Sequence, residues 1–188
     1  MTSTALLVMD VQQGIVDRFG GDEEYLPRLV TAVQAARRAG IRVIYVVVGF
    51  RAGYPEVSER NKSFAAIAGT GRFADDEGYL PRLAAAVQAA RGVTKRRVSA
   101  FTGSDLEVVL RAAGIDHLVL TGIATSGVVL STLRQAADLD YRLTVLADGC
   151  LDADPEVHRV LTDKVYPRQA DVLRIAEWTE SLTKPAAG

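Results

Sequence analysis

Val119-Leu-Thr-Gly-Ile-Ala-Thr-Ser-Gly-Val-Val-Leu-Ser-Thr132 joins an apolar run to a glycine-bearing turn and then to the start of a helical pattern. The run from His117 to Thr121 has strand length and β-branched character, and the helical period continues from about Ser126 to Leu139. A turn of this kind directs several backbone N–H groups outward, as an oxyanion or phosphate site requires. The same strand-then-helix unit recurs on both sides. Thr4–Met9 and Ile41–Val48 are apolar throughout, as strands covered on both faces are. Glu24–Ala39 places Leu26, Leu29, Val30, Val33 and Ala36 at helical spacing, with Gly40 at its end. Ser104-Asp-Leu-Glu107 has the form of a capping box, opening a helix that ends at Gly114. Arg142–Ala147 reads as a strand, Asp154-Pro155 as a helix start running to about Val165, Val172–Ile175 as a short strand, and the stretch through Trp178 as a last helix. With the short extended stretch just before Lys95 as a sixth strand, alternation of this kind predicts a three-layer α/β/α fold around a mostly parallel, six-stranded, Rossmann-like sheet. Ligands in such folds bind at the carboxyl ends of strands, so Asp10, Gly49–Arg51, Gly122–Val128 and Asp148–Cys150 are the positions of interest.

Bulk properties narrow the class. With 188 residues the chain suits a single domain spanning 1–188, long enough to bury a core without disulfides or a structural metal. Its single cysteine, Cys150, excludes an intramolecular disulfide. A net charge of −1 argues against nucleic acid or an anionic membrane as partner, since both demand a concentrated basic face. Lys95, Arg96 and Arg97 make only a short basic cluster, which an exposed turn accounts for. The N-terminus lacks a basic region before its apolar run, which stops at Asp10, so it reads as a strand and not as a signal peptide. No apolar run approaches the ~20 residues that span a bilayer, and a cytoplasmic location is the expectation.

One organisational feature stands out. Residues 22–37 recur as residues 76–91, identical at 13 of 16 positions with an offset of 54. Two copies do not make a repeat architecture. A local duplication giving a second helix of similar face is the expected form, with Pro27 and Pro81 in the first turns of their helices.

Three features bear on chemistry. Asp10 sits where the first buried strand stops, in Val8-Met-Asp-Val-Gln-Gln13; alone it would serve equally as a helix N-cap. Lys95 lies in Val93-Thr-Lys-Arg-Arg-Val-Ser-Ala-Phe101, and a lone lysine is ordinarily a surface charge. The third is the Gly122–Val128 turn. His117 and His158 are the only histidines, neither has ligand spacing, and no metal site is expected. Gly69-Thr-Gly71 is too short a glycine signal for a dinucleotide, and no phosphate-loop lysine follows it, so no cofactor is expected.

Taken together, Asp10, Thr94-Lys-Arg-Arg-Val-Ser-Ala-Phe101 and Thr121-Gly-Ile-Ala-Thr125 resemble the isochorismatase-like cysteine hydrolases, which include nicotinamidases, N-carbamoyl amidohydrolases and isochorismatase. The resemblance covers Leu6–Gln12, Thr94–Phe101 and nearly all of Gly103–Cys150. It implies that Asp10 is the catalytic general acid or base, and that Lys95 pairs with it and stabilises developing negative charge. It implies a cis peptide bond between Ile123 and Ala124, and an oxyanion site formed by the N–H groups of Ala124 and Val128. Family members with the thiol read Thr-x-x-Cys after the turn, whereas here the stretch is Thr125-Ser-Gly-Val128. Val128 therefore occupies the nucleophile's position, and an isopropyl group cannot form a thioester. Cys150 follows a later strand and is expected to be an inert buried thiol. Ser126 and Ser131 are read as a helix N-cap and a helix-face hydroxyl. The nicotinamidase branch has an Asp-x-His and a further His after the second strand, a place that here reads Val48-Gly-Phe-Arg-Ala-Gly-Tyr54. Phe50, Arg51 and Tyr54 are candidates for shaping a pocket and holding an anionic substrate, or form an ordinary exposed loop. The resemblance further implies a small-molecule substrate and a homodimer or higher homo-oligomer. Two functions follow as expectations. One is hydrolysis through Asp10 and Lys95 without a covalent step, as in cleavage of a vinyl ether; the other is a catalytically inactive member that binds a small molecule or acts as a scaffold.

Overall fold

The computed structural model describes residues 3–19, 22–74 and 91–183. In chain order the elements are β1 (Thr4–Met9), α1 (Gln13–Val16), α2 (Tyr25–Arg38), β2 (Arg42–Val48), α3 (Lys62–Gly69), β3 (Arg91–Lys95), α4 (Leu106–Ala112), β4 (His117–Ile123), α5 (Leu130–Asp138), β5 (Arg142–Leu151), α6 (Pro155–Val160), β6 (Asp171–Leu173) and α7 (Ile175–Thr183). The strands form one sheet in the order β3-β2-β1-β4-β5-β6, and every pairing is parallel. Order reverses between β1 and β4, which creates a crevice at their carboxyl ends.

Side-chain alternation along the strands explains why both faces must be covered. Ala5, Leu7 and Met9 enter one apolar cluster with Leu106 and Leu110 of α4 and Leu133 of α5. Leu6 and Val8 point the opposite way, into a second cluster with Leu29 and Val33 of α2 and Trp178 of α7. Strands buried on both sides need apolar residues at every position, which is why they read as unbroken runs. No helix among the described residues is long and apolar enough to cross a membrane.

Several local readings are refined. Ser104 does accept a backbone N–H, that of Leu106, but Glu107 turns outward to Arg111 and does not close a capping box. Asp154 caps α6 through the N–H groups of Glu156 and Val157, with Pro155 at the first helical position. The helix expected from Ser126 instead begins as a wide π-turn over Thr125–Val129, because Gly127 departs from helical geometry (φ −100°, ψ −105°). Strand β5 runs to Leu151, past the expected end at Ala147, through a register shift opposite Leu120 and Gly122. Helices α1 and α3 have no counterpart among the expected elements. Of the duplicated segment, residues 76–90 lie outside the described residues, and Arg91 opens β3 rather than closing a helix.

Gly122 links this framework to the crevice. It lies beside Met9 in the sheet at φ +146°, and a Cβ there would stand 2.3 Å from the Met9 carbonyl oxygen. No flexible side-chain end can yield, because the obstacle is backbone. Gly122→Ala is therefore expected to lower stability by about 2–4 kcal/mol; a urea midpoint unchanged from the parent would contradict this close packing.

Candidate active site

Three strand ends converge at the crevice. Met9 ends β1, and Asp10 then turns into the left-handed region at φ +57°, which an aspartate tolerates better than most residues. Its N–H remains tied to the Val46 carbonyl of β2 at 2.8 Å. Register brings Lys95, the last residue of β3, level with Val48 of β2. From there the Lys95 side chain reaches across the end of β2, and its Nζ lies 2.9 Å from Asp10 Oδ2. Nζ also donates to the Arg97 carbonyl at 2.9 Å. Both members of the pair are almost removed from water, at 3% and 8% side-chain exposure.

Gln12 locks the same corner. Its amide donates to the Val48 carbonyl at 3.1 Å and accepts the Val48 N–H at 2.9 Å, so the side chain imitates a strand residue at the end of β2. The second oxygen of Asp10, Oδ1, is buried without a hydrogen-bond partner. Burial pushes the Asp10 carboxyl above its ordinary value, outweighing the opposing pull of the Lys95 ammonium. The nearby Val48 N–H pulls the same way as Lys95, but it is already engaged by Gln12.

The turn after β4 forms the opposite wall. The Ile123–Ala124 peptide bond is cis. Behind the turn, Tyr166 donates to the Thr125 carbonyl at 2.6 Å, Thr125 Oγ1 lies 2.8 Å from His158 Nδ1, and Asp152 accepts the Ser126 N–H at 2.7 Å. His158 is thus a structural partner of the turn, and burial holds its pKa below the ordinary histidine value. His117 is likewise occupied, between Thr4, Thr144 and Arg142. Among the described residues no group of three or more potential ligands could hold a metal ion.

Asp10, Lys95, Ala124 and Val128 all border one cavity of about 220 Å³, smaller than a drug-sized site. The rest of its wall is mostly apolar: Ile15, Phe19, Phe64, Ile67, Phe73 and Val98. Val128 is 2% exposed and also packs into the core beneath. Cys150 borders a different cavity, beside Asp148 and His158, and burial pushes its thiol up to about 12. Phe50 and Tyr54 stand one layer behind, with Phe50 packed edge-on against Phe64. Arg51 lies on a separate surface with Arg96 and Arg97, where Glu56 binds it.

Sequence reasoning passed over Phe64, Ile67, Phe73, Phe19 and Arg18. A signal for α3 was present, because Asn61 caps the helix through the Phe64 N–H, and Phe64 and Ile67 follow at helical spacing. Arg18 and Phe19 follow the single turn of α1, whose four residues carry no periodicity to read.

Comparison with known proteins fits this geometry. The family model for the isochorismatase domain matches residues 4–177. The chain is 33% identical over 183 residues to the uncharacterized isochorismatase family protein YecD of Escherichia coli O157:H7, covering 96% of each chain. It is 30% identical over 195 residues to an Arabidopsis thaliana protein named as a probable inactive nicotinamidase, again covering 96% of each. Among solved structures, an isochorismatase family protein from Burkholderia thailandensis superposes with a TM-score of 0.82 at 25% identity, over 97% of this chain and 96% of that one. A parallel sheet in this order, a strand-end Asp–Lys pair and a matching domain model over nearly the whole chain lead to one conclusion: the chain belongs to the isochorismatase family.

Proposed function

We propose that this chain is a small-molecule hydrolase whose chemistry runs through Asp10 and Lys95, with no covalent step at residue 128. The observation that carries the reading is the buried carboxyl at the cavity floor, held toward its protonated form by burial and with one oxygen unpartnered. Such a group is a proton donor in waiting. Val128 takes the place of a nucleophilic thiol, and the valine adds apolar surface beside that carboxyl.

Hydrolysis of an enol ether suits this equipment. Asp10 transfers its proton to the terminal alkene carbon, and the ether oxygen stabilises the resulting oxocarbenium ion. Water adds to the cationic carbon and returns a proton to the Asp10 carboxylate. The hemiketal then collapses, breaking the bond to the ether oxygen and releasing an alcohol and a carbonyl product. Lys95 steadies the carboxylate left after the first transfer, through the 2.9 Å contact to Oδ2. The N–H groups of Ala124 and Val128 are assigned to the substrate's oxygen at the other wall. A family member working in this way acts on a small substrate, needs no cofactor and no metal, and fits a cytoplasmic homodimer or larger homo-oligomer.

A second reading has its own support. The valine, together with the likeness to a protein named as an inactive nicotinamidase, favours a member that binds a small molecule without turning it over. Assay against a panel of enol ethers, amides and N-carbamoyl compounds separates the two, because saturable binding without turnover would leave only the binder.

Under the hydrolase reading, the donor is present below the raised Asp10 pKa and is lost as pH rises through it. kcat/KM for an enol ether should therefore fall toward alkaline pH with a midpoint above the ordinary carboxyl range, and Asp10→Asn should lower kcat at least about 100-fold. Stability should respond differently. Asp10→Asn leaves the Lys95 ammonium buried without its carboxylate, costing about 3–5 kcal/mol in urea unfolding; the Asp10→Asn/Lys95→Met pair should recover most of that loss and none of the activity. Placement of residue 128 at the cavity wall is tested by Val128→Cys. The parent, with only Cys150 buried, should resist iodoacetamide near neutral pH, whereas Val128→Cys should take up one equivalent. Equal resistance in both would remove Val128 from the site.

A further inference from the structure

Two cations border the Asp10 cavity, and they are engaged differently. At the floor, the Lys95 ammonium is held by Asp10 Oδ2 and by the Arg97 carbonyl. At the rim, Arg18 is exposed, and its guanidinium makes no hydrogen bond or ion pair with any described residue. Arg28, Arg51, Arg96, Arg111 and Arg159 each face a carboxylate by contrast. Arg18 follows α1, whose Ile15 already forms part of the cavity wall, and its N–H closes a turn on the Ile15 carbonyl at 3.0 Å.

We infer that Arg18 is the anion anchor of this cavity, selecting a small, mostly apolar ligand whose single carboxylate meets the guanidinium at the rim while its uncharged end reaches Asp10 at the floor. The inference rests on the hydrolase reading for the identity of the reacting end, and extends it to the ligand's charge and orientation. Three observations set that orientation. A guanidinium presents a planar fork of donors matched to a carboxylate and is more weakly hydrated than an ammonium, so it gives up water readily. Between rim and floor the wall is built from Phe19, Phe64, Ile67 and Phe73, which accept a ring or hydrocarbon and offer nothing to a second charge. At the floor, the Lys95 ammonium is already engaged by Asp10 Oδ2 and the Arg97 carbonyl, so no free cation waits there for a carboxylate and the neutral end is the one that enters. A cavity of about 220 Å³ limits the ligand to something near one substituted ring. Arg51, the arginine that the sequence offered for an anionic substrate, is occupied by Glu56 on another surface.

The test uses benzoate and its uncharged counterpart benzamide as probes, with affinities measured by calorimetric titration on the parent, Arg18→Met and Arg18→Lys. The parent should bind benzoate about tenfold or more tightly than benzamide, the ratio that one charge-assisted contact supplies. Arg18→Met should bind the two alike with benzamide affinity unchanged, and Arg18→Lys should restore part of the preference. A benzoate preference that survives in Arg18→Met overturns the inference. So does a parent that shows no preference, including one that binds neither probe. The outcome is separable from the chemistry: an Arg18-dependent preference without turnover of any enol ether would uphold the anchor and reject the Asp10 reaction.

Discussion

A buried ion pair between strands that are not neighbours organises this protein. Asp10 follows β1, Lys95 ends β3, and β2 lies between them, so their 2.9 Å contact bridges over the end of a strand. That bridge exists only if three strands keep register to a single residue, with Met9 beside Val46 and Val48 beside Lys95. A slip of one position would turn Lys95 to the other face of the sheet. Removing two charges from water is expensive, and their attraction rarely returns more than it costs. The pair is therefore sustained by the two apolar clusters that fix the register, and it contributes position and charge instead of net stability.

The same burial that makes the pair costly also shifts its protonation. In open solvent an aspartate beside a lysine would be firmly ionised. Here desolvation outweighs the ammonium, and the carboxyl is drawn back toward its neutral form. Val128 belongs to that environment, since it forms part of the cavity wall and of the underlying core. The wide turn that carries it is secured from behind by Tyr166, His158 and Asp152, residues that arrive 26 to 41 positions later in the chain. The backbone of the crevice is thus pinned from the C-terminal side, and the acid at the floor from the N-terminal side.

Much of this was open to reading along the chain. Unbroken apolar runs identified strands covered on both faces, because the helices on each side demand apolar residues at odd and even positions alike. The motifs around Asp10, Lys95 and the Gly122–Val128 turn were recognisable as local patterns. Where backbone geometry departs from a regular period, the pattern misled. Gly127 converts the expected helix start into a π-turn, and a register shift carries β5 on to Leu151. Ser104 and Glu107 have capping-box spacing, yet Glu107 is claimed by Arg111 on the helix surface.

By itself, the sequence determined which residues could lie inside, which strand ends could carry charge, and that the turn after the fourth strand carries a valine at 128. These are properties of side-chain chemistry and of period two or 3.6, both written into neighbouring positions. Only the tertiary structure decided that Lys95 meets Asp10, that Gln12 closes the end of β2, that Phe64 and Phe73 roof the same cavity, and that Arg51 turns away to Glu56. The first two depend on strand order and register, which join residues tens of positions apart through packing; the others depend on how a loop and a helix fold over the strand ends, and no local period encodes either.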